Sequence, residues 1–315
     1  MTQDAQASPM VYPAGTRRRS AGVIMLLVAS VLWSLSGLAV KLAAMDALAF
    51  AMWRSLAGAV ALGIALWFAP GRWPRAKWMI PTVLTYTAVV SLLLAAMTLG
   101  TAARGILLQY TGPVFCALFA WMFQSRRIGR YTAAALLVSG VGIAVMIAGA
   151  PAGGGWIGPT CGLLSGVAFG ALILLLEKVN RSGDGAGDVN PIAITFLNNA
   201  GAAVILIILC MASHTPMRGD ARQMAIVTVT GVIQLAIPYA LFQMALKRVE
   251  PVDASLLILL EPVLNPIWVA LVFPERPDWP TVVGGAAILA AMVIEALKPE
   301  LNDDESSGDN SLITQ

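Results

Sequence analysis

The chain has 315 residues, of which 58% are hydrophobic and only 12% charged, with a formal net charge of +3 and a mean hydropathy of +0.78. A soluble domain of this length could not keep so much apolar surface from water, so a polytopic membrane protein embedded in a lipid bilayer is expected. The small charge excludes a nucleic-acid binder, which needs a concentrated basic surface, and nearly all Lys and Arg fall in the connections between apolar runs.

The first twenty residues are polar and end in Arg17, Arg18 and Arg19. A basic stretch before an apolar run resembles a signal peptide, but the run is too long for an h-region and nine more follow, so it reads as an uncleaved first helix behind a tail at 1–20. The ten runs cover about 21–41, 48–69, 78–99, 103–123, 129–149, 157–177, 191–212, 223–246, 253–273 and 280–297. Each is long enough, at ~1.5 Å rise per residue, to cross a hydrocarbon core of ~30 Å. We number these runs as spans one to ten.

Polar groups inside a span are expensive, so each is weighed. Span one carries Trp33, Ser34 and Ser36, and span two carries Arg54, the one cation well inside a span. Arg54 reads either as a contact for a carboxylate or phosphate, or as a clamp on helix-end carbonyls with a snorkelling stem. Span three offers Tyr86 and Ser91, and span four offers Gln109, Tyr110, Thr111, Gly112 and Pro113. Small residues run through span five, which reads as scaffold. Phe169 lies in span six, and Asn198 and Asn199 in span seven, where hydrogen bonds between helices compete with ligand contact. In span eight, Gln234 and Pro238 share a helix face while Tyr239 and Gln243 form the adjacent stripe. Span nine holds Glu261, Pro262, Asn265 and Pro266; span ten is again rich in small residues, and the stretch 298–315 is acidic and reads as disordered.

Two stretches 149 residues apart repeat one pattern, GPVFCALFAWM at 112–122 and EPVLNPIWVAL at 261–271. LLVASVLWSL at 26–35 also resembles GLLSGVAFGA at 162–171, and Gly58 corresponds to Gly201. These matches keep one order, and the uncharged connector at 150–156 divides the chain into halves at 21–149 and 157–297. Five spans per half make the second half enter the membrane from the opposite side. The expected fold is therefore all-α, with ten transmembrane helices as two inverted five-helix repeats. Counting cations puts fourteen on the side of the N-terminus and five on the other. The positive-inside rule thus makes both termini cytoplasmic.

Pro113 and the pair Pro262 and Pro266 fall at matching depths, with Pro238 in span eight, and each is expected to break its helix by removing a backbone donor. Interrupted helices at equivalent positions point to a transport pathway, with a packing kink as the alternative. Trp33, Ser34, Tyr86, Gln109, Tyr110, Phe169, Gln234, Tyr239, Gln243 and Asn265 together supply amides, hydroxyls and aromatic rings, a set that suits a neutral or zwitterionic small molecule with a large apolar part. Glu261 is the one acid deep in a span; it reads as a proton carrier or as a structural partner of a neighbouring helix. One His and three scattered Cys form no metal constellation, and no cofactor is implied.

The ten-span plan, Trp33-Ser34, the AFAMWRSLAGA run at 49–59 and the Pro-Val pairs at 113–114 and 262–263 resemble the EamA-type members of the drug/metabolite transporter superfamily over about 21–297. Ser34 departs from the small residue, often Gly, that follows the span-one Trp there. The resemblance implies metabolite export across a bacterial inner membrane, with spans one, three, four, six, eight and nine around a central cavity. Length and composition are similar to the aromatic amino acid exporters of the YddG type. The first span lacks the membrane glutamate of the small multidrug antiporters, and Arg54 alone does not make the cation cluster that phosphorylated substrates require. An intramembrane enzyme would need paired acids, a nucleophile with its base, or metal ligands, and a channel is disfavoured by the inverted repeat. Oligomeric state is left open, and a monomer is compatible with the sequence.

Overall fold

The computed structural model describes residues 16–69, 71–124, 128–149, 155–181, 189–246, 248–249 and 257–297. The N-terminal tail to residue 15, residues 150–154 of the connector, and the acidic stretch from 298 lie outside them. Helices are α1 (Thr16–Ser34), α2 (Ser36–Ala43), α3 (Ala47–Phe68), α4 (Ala76–Leu99), α5 (Ala102–Gln109), α6 (Gly112–Gln124) and α7 (Arg130–Ala148) in the first half. The second half has α8 (Ile157–Arg181), α9 (Pro191–Ala212), α10 (Ala221–Val229), a π-helical stretch (Thr230–Ala236) and α11 (Ile237–Leu246). We label the last two helices α12 (Leu260–Val272) and α13 (Trp279–Ala296). Eight rods among the described residues are long and apolar enough to cross a membrane, and two shorter apolar helices, in spans nine and ten, complete the set.

The repeat is visible in how the helices pack. Span three lies along span six (α4 on α8) and span one along span eight (α1 on α11). Span two crosses span seven (α3 on α9), and span five crosses span ten (α7 on α13). Exchanging each span with the one five places later maps this set of contacts onto itself, as two inverted halves require. Small residues permit the closest crossing: a Cβ added to Gly142 on α7 would lie 2.6 Å from the Gly284 carbonyl on α13. The scaffold role read from these two spans is thus expressed as backbone contact.

The buried core lies where the halves meet, with Phe50, Leu94, Met97, Ile106 and Leu206 fully enclosed. Outward faces carry exposed apolar side chains such as Ile64, Leu137, Val204 and Ile208, as a multi-pass membrane protein presents to lipid.

Spans four and nine are each interrupted, in repeat register. The α5–α6 break falls at Tyr110 and Thr111, and the backbone of span nine is interrupted at Leu259, 149 positions after Tyr110. The prolines do not themselves mark the breaks. Pro113 and Pro262 sit in the first turn of α6 and α12, where a missing donor costs nothing, so the interruption appears just upstream. Pro266 lies inside α12 without ending it, contrary to expectation; one lost hydrogen bond is tolerated where neighbouring helices hold the segment. Pro238 likewise ends no helix. The chain absorbs it by widening into π-turns over Thr230–Ala236, immediately before the proline.

Candidate functional site

The two interruptions face each other. Tyr110, at the α5–α6 break, donates its hydroxyl to Glu261 Oε2 at 2.8 Å and lies 3.4 Å from the Ile258 carbonyl. A broken helix frees carbonyls and turns a side chain across the axis, which is how a residue of span four reaches the start of α12.

Span one is also interrupted, at Leu35 between α1 and α2. Its polar residues meet span nine: Trp268 donates Nε1–H to Ser34 Oγ at 2.8 Å, and Asn265 donates Nδ2–H to Ser36 Oγ at 2.8 Å. Asn265 and Trp268 are three apart and so share a face of α12. Trp33 instead turns to span eight. Its ring packs edge-on against Tyr239 at 5.2 Å and tilted against Phe242 at 5.6 Å, while its carbonyl accepts from Gln234 Nε2 at 2.9 Å. The expected pairing of Gln234 with Pro238 on one face assumed α-turns. Through the π stretch the phase changes, and Gln234 and Tyr239, five apart, both face Trp33.

Arg54 on α3 is only 8% exposed, and its Nε has no hydrogen-bond partner. The ionisable groups acting on it are Tyr86, Tyr239 and Glu261, so four helices converge here. Tyr86 is fixed by donating to Asn199 Oδ1 at 2.9 Å, and Asn199 in turn donates to the Thr195 carbonyl at 2.9 Å. Further buried oxygens without partners include Gln234 Oε1 and Asn265 Oδ1 beside the Trp33 and Ser36 contacts, with Asn198 Oδ1, Ser55 Oγ, Ser139 Oγ and Gln124 Oε1 elsewhere. A buried polar atom left unpaired costs about 1–3 kcal/mol, so those on spans two, eight and nine are candidates for ligand contact.

Other expected residues have structural partners. Gln109 donates Nε2–H to Ser165 Oγ at 3.2 Å, and Ser165 passes the chain to the Val89 carbonyl at 2.9 Å, joining α5, α8 and α4. Phe169 on α8 covers Gly112, where its ring lies so close that a Cβ would collide with it. The side chain of Gln243 lies outside the described residues. Among the described residues no group of three His, Cys, Asp or Glu side chains converges to hold a metal. An apolar groove of about 400 Å³ between α3 and span eight, lined by Trp53, Leu56, Val60, Ile64, Met224 and Val232 among others, contains none of the site's polar residues.

The face opposite the start of α1 holds a charge network that the sequence reading did not foresee. Lys41 at the end of α2 pairs with Glu275 Oε2 at 2.7 Å, whose other oxygen accepts from the Ala102 amide at the start of α5 at 2.7 Å. Arg104, counted as a loop cation, is 4% exposed. It pairs with Asp278, and it donates to Thr281 Oγ at 2.9 Å and the Gly149 carbonyl at 3.0 Å. Burial pushes the Asp278 carboxyl up, but the Thr281 hydroxyl and amide and the Arg104 guanidinium outweigh it and hold it below the usual carboxylate range. The available signal was position: Arg104 sits within the first turn of a span rather than before it. Both pairs join the two halves of the chain.

Comparison with known proteins identifies the family and the fold. A family model described as the EamA-like transporter family matches residues 20–148 and again 156–295. An uncharacterized protein of Pseudomonas aeruginosa is 28% identical over 265 residues, covering 80% of this chain and 87% of its own. An uncharacterized transporter of Archaeoglobus fulgidus is 27% identical over 202 residues, covering 64% and 69%. A protein of known crystal structure shares the fold with a TM-score of 0.59 at 20% identity, over 88% of this chain and 96% of its own.

Proposed function

Since the chain belongs to the EamA-like transporter family, we propose that it is a secondary transporter exporting small neutral or zwitterionic metabolites, aromatic amino acids foremost, across a bacterial inner membrane by alternating access. The observation that carries this reading is the meeting of the two register-matched interruptions through Tyr110 and Glu261, beside a wall of Trp33, Tyr239 and Phe242 rings. Broken spans from inverted halves bring freed carbonyls and polar side chains to one place, where a substrate can touch both halves at once. The aromatic wall suits a flat apolar substituent.

The excess of Lys and Arg in the connections on the side of the N-terminus supports a cytoplasmic position for both termini. The Lys41–Glu275 and Arg104–Asp278 pairs then lie on the external side, where they would close the far end of the pathway. Flux down an export gradient needs no coupling ion. Uptake of labelled phenylalanine into proteoliposomes tests the reading: saturable uptake that unlabelled tryptophan inhibits supports it, and a flux that never saturates contradicts it.

A further inference from the structure

We propose that the site is polarised for a zwitterion, with Arg54 receiving a substrate carboxylate and Glu261 a substrate ammonium, so that an α-amino acid is preferred over the amine or the acid derived from it. This rests on the transporter reading above and deepens it by naming how the ligand's charges are read.

Two observations carry the assignment. Arg54 is a guanidinium buried to more than nine-tenths with an Nε that lacks an acceptor. Of the three ionisable groups that act on it, Tyr86 and Tyr239 are phenols, which ordinarily titrate near about 10 and carry no charge at neutral pH. Glu261 is the one carboxyl. Its Oε2 is engaged by the neutral Tyr110 hydroxyl at 2.8 Å, and among the described residues no ion pair within 4.0 Å joins it to Arg54. The described residues therefore hold one buried cation on α3 and one acid on α12 that act on each other electrostatically with no ion pair between them.

That arrangement selects on charge. A zwitterion gives each buried group an opposite partner and adds no net charge to a low-dielectric site. An amine leaves Arg54 uncompensated, and a carboxylic acid leaves Glu261 uncompensated, which is the costly way to bury a charge. Arg54 comes from the first half and Glu261 from the second, so the bound zwitterion bridges the halves. Tyr86 and Tyr239 act on Arg54 as well, and an aromatic ring can receive an ammonium on its face.

The test is counterflow of labelled phenylalanine in proteoliposomes of the full chain, with phenylalanine, phenethylamine and 3-phenylpropionate as competitors. In the wild type the amine and the acid are expected to compete roughly 10- to 100-fold more weakly, the equivalent of one lost charged hydrogen bond. In Arg54→Gln the amine's deficit disappears, and in Glu261→Gln the acid's deficit disappears. Equal competition by all three compounds in the wild type overturns the proposal, and this arm needs no variant to fold. Variants that weaken all three compounds equally also overturn it. If folded wild-type protein exchanges no phenylalanine at all, the amino acid reading of the site falls with it. Exchange without charge discrimination sinks this inference alone.

Discussion

Tyr110 and Glu261 are joined by a 2.8 Å hydrogen bond between residues 151 apart in sequence, and that bond ties the interruption of span four to the start of α12. Because the two breaks are equivalent in the repeat, the contact joins corresponding segments of the two halves.

Tyr110→Phe is expected to leave the folded protein intact, since the ring stays and only the hydroxyl goes. Counterflow is expected to slow about tenfold, the scale of one hydrogen bond to a charged group. Glu261→Gln combined with Tyr110→Phe should add little to the slower single variant, because each alone already loses the charge-assisted bond between them. Fully additive losses in this double-mutant cycle would separate the two residues functionally.

The opposite face makes a second prediction, on access. Glu275→Gln removes the largely buried charged partner of Lys41 and weakens the link to the start of α5. Solvent labelling of a cysteine placed at Ser36 is expected to rise several-fold in this variant. The stability change should be about 1–3 kcal/mol, the scale of a hydrogen bond to a charged group, since both side chains are only about one-fifth exposed. Unchanged labelling would show that the pair does not hold this face closed.

Acid stability reports on Asp278. Its carboxyl lies below the ordinary range when folded, so its contribution is fully present above the unfolded value of about 3.9 and is lost as pH falls through the folded value. The thermal midpoint in detergent is expected to hold from pH 7 to about 4 and then decline, in part through this group. Asp278→Asn should lower the midpoint at pH 7 and shrink the acid decline. A variant whose acid limb matches the wild type would remove Asp278 from this account.

The crossing of α7 and α13 is structural and should behave so. Gly142→Val places atoms against the Gly284 carbonyl and should cost about 1–3 kcal/mol by overpacking. The ratio of phenylalanine to phenethylamine competition should not move. A changed ratio would bring spans five and ten into the pathway.

Much of the architecture was legible before any coordinates. The match between 112–122 and 261–271 anticipated interruptions in register, because a repeat carries its helix breaks with it. Their position was misjudged: the break precedes the proline, whose missing donor is harmless in a first turn. Gln234 and Tyr239 were placed on different stripes because a 3.6-residue period was carried through a segment that the structure winds as a π-helix. Ser34 with Trp268 and Ser36 with Asn265 are pairs more than 200 residues apart, and periodicity within one span cannot reveal a partner on another. Arg104 escaped notice because a cation near the predicted end of a span looks solvated, whereas here the last connection folds over it. Arg54 stands out in the sequence as the one cation well inside a span, but only the structure shows which ionisable groups act on it.

The most direct test of the central claim is uptake of labelled tryptophan, phenylalanine, threonine and a nucleoside into proteoliposomes containing the purified chain. The account predicts saturable uptake that favours the two aromatic amino acids and falls about tenfold in Tyr110→Phe. Uptake of none of the four above protein-free vesicles, from protein shown to be folded, would contradict it.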